Sequence, residues 1–132
     1  VAGLLLTSDT TKVVSVPVFK KGGFIKDEVE NLLIQFQFTD EELAEKMNLL
    51  ELNLTNDFGG YGKHSTELIE FINVFHSITD LKLDQVYTAK MMFALLNDIK
   101  SGKFEKGSKI VALHTGGLQG LSSIEPLLNF EI

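Results

Sequence analysis

The sequence predicts an α/β chain, a mostly parallel sheet flanked by helices, and three observations predict it. Short β-branched runs alternate along the chain with longer segments whose apolar residues recur at helical spacing. The helical segments open on capping residues. Glycine-rich stretches separate the elements, as turns between strands and helices do.

Taken in order, residues 1–6 are apolar and Ser8, Asp9, Thr10 and Thr11 then break the pattern. There is no initiator Met, and this first helix reads as an element that has lost an N-terminal partner, so the chain is expected to be a fragment. Residues 12–19, "KVVSVPVF", predict a strand, with Pro17 turning its end into an edge or a bend. Ile25, Val29, Leu32, Leu33 and Phe36 predict a helix over 24–37. Thr39 with Glu42 three residues on is a capping box, and a short helix through Leu43 and Met47 follows. Residues 50–54 alternate as a short strand does. "NDFGGYGK", residues 56–63, is a glycine-rich loop.

Ser65 or Thr66 caps the next helix, which places Leu68, Ile72, Phe75 and Thr79 on one face. Asp84 caps another over 85–100, burying Val86, Met91, Leu95 and Ile99, with Gly102 as its stop. A strand over 109–113, a glycine turn and a tail helix over 122–128 complete the chain. In open α/β sheets ligands sit beyond the carboxyl ends of the strands, and Thr115, Gly116 and Gly117 fall at such an end.

The 132 residues suffice for one core and one domain. A net charge of −6 argues against nucleic acid and against an anionic membrane surface. Without Cys there is neither a disulfide nor a thiolate, which is compatible with a cytoplasmic location. No apolar run approaches the roughly 18 residues of a membrane span. His64, His76 and His114 lack ligand spacing, so no metal site is expected, and His76 lies on the packed stripe of its helix. "GGLQG" is not a dinucleotide turn.

Two stretches carry chemistry or merely imitate it. In "GGYGK" three glycines surround Tyr61, whose phenol either packs on a neighbour or exchanges a proton. "DQVYTAKMM" puts Tyr87 and Thr88 in a first helical turn, either an ordinary amphipathic start or a place that suits an anion.

Together, "FGGYGK…TELIEFIN", "VYTAKMMFALLNDIKSGKFEKGSKI" and "ALHTGGLQG" resemble the C-terminal part of the 1-aminocyclopropane-1-carboxylate deaminase and D-cysteine desulfhydrase family. The resemblance covers nearly the whole chain, is strongest over 58–120 and is weak over 31–49. It implies a three-layer sheet of the tryptophan-synthase-β-like kind and pyridoxal phosphate as cofactor, with the anchoring lysine upstream of Val1. It implies that Tyr87 and Tyr61 are catalytic. Thr115 would meet the pyridine nitrogen, Thr88 would lie near the same end, and Gly116 and Gly117 would let the backbone approach the ring. It further implies a small amino acid as substrate, a 2-oxo acid and ammonia as products, and a homodimer at full length.

Two departures bear on substrate. The deaminases resemble "VYEGK" where this chain has Thr88 and Ala89, and they carry an apolar residue where Thr115 stands. A neutral hydroxyl at the ring nitrogen makes a weaker electron sink than a carboxylate, adequate for β-elimination of a good leaving group. That favours desulfhydrase-like chemistry. A small α/β binding module and a racemase of the same fold are the alternatives.

Overall fold

The computed structural model describes residues 1–132. The chain folds as a helix-rich α/β structure divided into two compact units: residues 1–17 with 21–54, and residues 18–20 with 55–132.

The first unit holds the sheet. Strand β1 (Val13–Ser15) pairs in parallel with β2 (Leu50–Leu52), Val13 opposite Leu50 and Ser15 opposite Leu52. A parallel pair needs a long crossover. Here α2 (Ile25–Leu33) and α3 (Asp40–Asn48) supply it. The bond from the Asn53 amide to the Ser15 carbonyl, 2.8 Å, carries the pairing one residue past β2. Leu5 of α1 (Ala2–Thr7), Val13, Val29, Leu33 and Met47 close the core. The strand expected over 12–19 is thus shorter. Pro17 has no amide hydrogen to give a ladder.

The helix expected over 24–37 is present as α2 with a 3₁₀ turn at each end, Gly22–Phe24 and Ile34–Phe36. Only Val29 and Leu33 of its stripe are buried, while Leu32 and Phe36 are about half exposed. Gln37, with φ of 58°, ends it in the left-handed region. The capping box forms as the sequence predicts. The Glu42 amide donates to the Thr39 hydroxyl at 3.2 Å, and the Thr39 amide donates to the Glu42 carboxylate at 2.8 Å.

The second unit is helical. Ser65 caps α4 (Thr66–Thr79), its hydroxyl accepting the Leu68 amide at 3.2 Å. Leu68, Ile69 and Ile72 of α4, with Leu83, Ala89, Leu121 and Ile124, form the core. Phe71, Phe75 and Phe93 pack around it. The next helix, α5, spans Thr88–Lys100 and buries Thr88, Ala89, Lys90 and Ala94. That corrects the expected face: Val86, Met91 and Leu95 are only half buried, and Ile99 is exposed. Asn73 ties down the end of the chain, donating to the Leu127 carbonyl at 3.0 Å and accepting the Asn129 amide at 2.8 Å.

Two expected elements are absent. Residues 109–113 form no strand, and Ile110, Val111 and Leu113 are exposed, Val111 by 82%. A strand exists only beside a neighbour, and the sheet of this chain contains β1 and β2 alone. The expected tail helix is two 3₁₀ turns, Leu118–Ser123 and Glu125–Leu127. No helix is long and apolar enough to cross a membrane.

The Thr39 amide, and then its hydroxyl at 2.9 Å, both donate to the Glu42 carboxylate and hold it below the ordinary glutamate range. A lowered acid stabilises the fold fully above its unfolded pKa, and the contribution is lost as pH falls through the folded value. Urea titrations should therefore show the native chain more stable than Glu42→Gln at neutral pH, with the gap closing as pH drops through that lowered range. Thr39→Ala removes the cap and should cost about 1 kcal/mol at neutral pH.

Candidate active site

Asp84 is fully buried. One carboxylate oxygen accepts the amides of Val86 and Tyr87, each at 2.8 Å. The other accepts the Thr88 amide at 2.9 Å and the Thr88 hydroxyl at 2.6 Å. The Thr88 hydroxyl in turn accepts the Asp84 amide at 2.9 Å. The sequence predicts Asp84 as the N-cap of a helix from 85; instead the N-cap is Tyr87, and the Asp84 carboxylate holds a turn at 85–87 and the first helical residue, Thr88, as a cap set three residues further back. A buried carboxylate is tolerable only because donors surround it.

The cap also fixes the glycine turn. A Cβ on Gly117 would stand 2.9 Å from the nearer Asp84 oxygen, and the residue sits at φ of 90°. Gly117 is therefore glycine for two reasons, hand and space. Gly116 shares the left-handed backbone, at 91°, but faces open space. Beside it the Gly116 amide donates to His114 Nδ1 at 3.3 Å, which leaves Nε2 to donate to the Lys82 carbonyl at 2.9 Å. His114 thus clips the turn to the segment leading into Asp84. Thr115 stands exposed between the two.

Tyr87 follows the Asp84 cap and is 43% exposed. Its hydroxyl lies 3.1 Å from that of Tyr61, the rings meeting edge to face at 5.9 Å between centroids. Phe19 stacks on the other side of Tyr61 at 5.6 Å, with 13° between planes. The bond to Tyr61, then burial, raise the Tyr87 pKa above the ordinary phenol range. Tyr87 is accordingly a neutral phenol throughout the physiological range.

Tyr61 is carried by a strained loop. Phe58, Gly59 and Gly60 all have positive φ, at 50°, 90° and 111°. For Phe58 this costs about 1–2 kcal/mol. The Asp57 carboxylate accepts the Gly59 amide at 2.8 Å, and Phe58 packs edge-on against Phe93 at 5.1 Å. Under the loop lies Lys90, 0% exposed, its ammonium donating to the carbonyls of Asp57 at 2.8 Å and Gly60 at 2.7 Å. Burial lowers its pKa, opposed by the charges of Asp57 and Asp84.

The two tyrosines singled out in the sequence thus meet, 26 residues apart along the chain. Thr88, singled out as a cofactor contact, is 2% exposed with its hydroxyl bonded to Asp84. Sequence reasoning missed three groups. It used Asp84 only as a helix cap and passed over Lys90 as part of a motif. Gln85, whose side-chain amide reaches the Gly120 carbonyl and the Ser123 hydroxyl at 2.9 Å each, also went unnoticed. The available signal for all three was four polar residues, 84, 85, 88 and 90, crowded into the start of a helix that must pack.

Fold and site together define a helix-rich α/β chain that presents two hydrogen-bonded phenols, one from a polar-buttressed helix start and one from a strained glycine loop. Its relatives give that class a family. The chain is 34% identical over 119 residues to a Pyrococcus furiosus protein provisionally named a 1-aminocyclopropane-1-carboxylate deaminase, a match covering 89% of this chain and 35% of that protein. It is 42% identical over 72 residues to the bifunctional mitochondrial D-cysteine desulfhydrase/1-aminocyclopropane-1-carboxylate deaminase of Arabidopsis thaliana, 53% of this chain and 18% of that one. A 1-aminocyclopropane-1-carboxylate deaminase of Burkholderia cenocepacia matches at 31% over 84 residues, 62% of this chain and 25% of that one. The chain is homologous to the 1-aminocyclopropane-1-carboxylate deaminase and D-cysteine desulfhydrase family, and spans about a third of the length of the Pyrococcus relatives it matches. No family model and no solved structure matches it.

The two glycines of the turn should differ on substitution. Gly116→Ala meets only the left-handed backbone and should cost about 1–2 kcal/mol. Gly117→Ala adds the collision with Asp84, a further 1–3 kcal/mol or so by the usual measure of overpacking. Chemical denaturation of the two variants checks the order.

Proposed function

We propose that the protein containing this chain is a pyridoxal-phosphate-dependent deaminase or lyase that converts a small amino acid to a 2-oxo acid and ammonia. The observation that carries the reading is the Tyr61–Tyr87 hydroxyl pair at 3.1 Å, standing on the two segments that resemble the family's active-site motifs. The names of the relatives support the deaminase and desulfhydrase chemistry.

The residues present fit a flat, nitrogen-containing ring. The Tyr61, Tyr87 and Thr115 hydroxyls are on exposed residues, and Gly116 leaves open space where a side chain would stand. When bound, the cofactor supplies an electron sink for charge developing at the substrate's α-carbon. Thr115 would hold the ring nitrogen through a neutral hydroxyl. Tyr87, kept protonated by its raised pKa, offers a proton beside the substrate. Tyr61 orients that phenol through the shared hydrogen bond. Thr88 acts on the site through Asp84, the group its hydroxyl already bonds.

The Lys90 ammonium is committed to two carbonyls and is not available to anchor the cofactor. The family resemblance puts the anchoring lysine outside residues 1–132, so the chain alone turns over neither substrate. The full-length protein acts as a homodimer in the cytoplasm. Its neutral Thr115 favours β-elimination from D-cysteine over opening of the cyclopropane ring.

Assays of the full-length protein decide among these. D-cysteine should yield pyruvate, sulfide and ammonia. 1-Aminocyclopropane-1-carboxylate would instead yield 2-oxobutyrate and ammonia, and inversion of an amino acid with no ammonia released would point to a racemase. Failure of every substrate to react, with no cofactor bound, would leave the chain a binding module. Tyr87→Phe should lower turnover by roughly 10²–10⁴-fold while retaining the cofactor, and Thr115→Val should change the cofactor's absorbance or affinity.

A further inference from the structure

We propose that Lys90 is a positioning residue for the tyrosine pair. Its buried ammonium holds the carbonyls on either side of the strained loop segment and so keeps the Tyr61 hydroxyl against that of Tyr87. The inference rests on the reading of those tyrosines as the pair that faces the substrate, and it adds a residue to the site.

Three observations carry it. The ammonium bonds Asp57 and Gly60, and these residues bracket Phe58 and Gly59, so both ends of the left-handed run are pinned to one point on α5. Tyr61 is the next residue, and its ring can reach Tyr87 only while the loop holds that path. The helix that supplies Lys90 also supplies Tyr87 just before its first residue, so one rigid element fixes both sides of the contact. Tyr87 and Lys90 stand three positions apart, nearly one helical turn. The phenol and the ammonium therefore leave neighbouring turns of the same helix.

A lysine in such a place is not there for packing alone. A buried ammonium forfeits its hydration, and an apolar side chain of equal length would fill the same space without that loss. What the apolar side chain cannot do is draw two carbonyls to one point. A neutral chain at this position leaves the Asp57 carbonyl to the Gly60 amide at 3.0 Å and the Gly60 carbonyl to the Lys63 amide at 3.2 Å. Those bonds lie within the loop, so nothing then ties it to α5 and the loop is free to shift as a unit.

The chain itself provides the readout. It contains two tyrosines and no tryptophan, so its phenolate absorbance reports this pair and nothing else. In the native chain, ultraviolet titration should show one phenol titrating above the ordinary range, and Tyr61→Phe should abolish that elevation and assign it to Tyr87. Lys90→Met should abolish it as well while the far-ultraviolet circular dichroism keeps its helical signal. A folded Lys90→Met chain that retains the elevated step would overturn the proposal. Should that variant not fold, nuclear magnetic resonance on the native chain decides instead. A slowly exchanging Lys90 ammonium with through-bond coupling to the Asp57 and Gly60 carbonyl carbons is expected. Ring-to-ring contact between the tyrosines without that coupling would overturn it. Neither measurement needs cofactor or substrate. A catalytically silent full-length protein with an intact Lys90 effect would therefore sink the functional reading alone, and an active enzyme without the effect would sink only the positioning role.

Discussion

The second unit depends on keeping one carboxylate buried. Asp84 has no solvent to turn to, and four donors from three successive residues meet it instead. Those bonds determine where α5 begins, and with it the direction in which Tyr87 leaves the backbone. They also decide what may approach from the other side. The turn at 116–117 lies against the carboxylate only because Gly117 has no side chain. Hydrogen bonds to an ionised group are worth about 1.5–3 kcal/mol each. Losing the carboxylate would therefore release the helix start and the glycine turn together.

Around this point the unit uses polar side chains as struts. Asp84 reaches the helix start, Gln85 reaches the segment at 120–123, and Lys90 reaches the loop at 57–60. Lys90 ends on backbone alone and leaves its loop free to differ in side chain, while Asp84 and Gln85 each also take a hydroxyl, of Thr88 and Ser123. Short loops with positive φ are expensive to hold by apolar contact alone, because they bury little surface. A directed polar contact fixes one carbonyl at a stated place. Such a framework suits a site whose reactive groups must be exposed while their backbones stay still.

Much of this was legible in the sequence, and what was not has a physical reason. The capping box at Thr39 and Glu42 was readable because a cap is local: both partners lie within one turn. The tyrosines were readable as a pair only from motif order, since nothing local says that residue 61 will meet residue 87. The strand over 109–113 was misread because β-branched composition states a preference, whereas a strand needs a neighbour. The buried face of α5 was misread for a related reason. Hydrophobic spacing chose Met91 and Leu95, but the helix buries Thr88, whose hydroxyl Asp84 holds, and Lys90, whose ammonium finds partners 30 and 33 residues away. A lysine in an amphipathic helix reads as solvated, and only the loop carbonyls above it show otherwise.

The contact between Gly117 and Asp84 also limits how the site can change over generations. A side chain at 117 is blocked while aspartate occupies 84, and a residue at 84 without a side-chain oxygen strands the Thr88 hydroxyl and three amides. Each single step away from this arrangement passes through a worse one. Positions 84, 88 and 117 should therefore be inherited as a block, and variation should fall on residues outside it, such as Thr115 and Phe19, which stand at the surface.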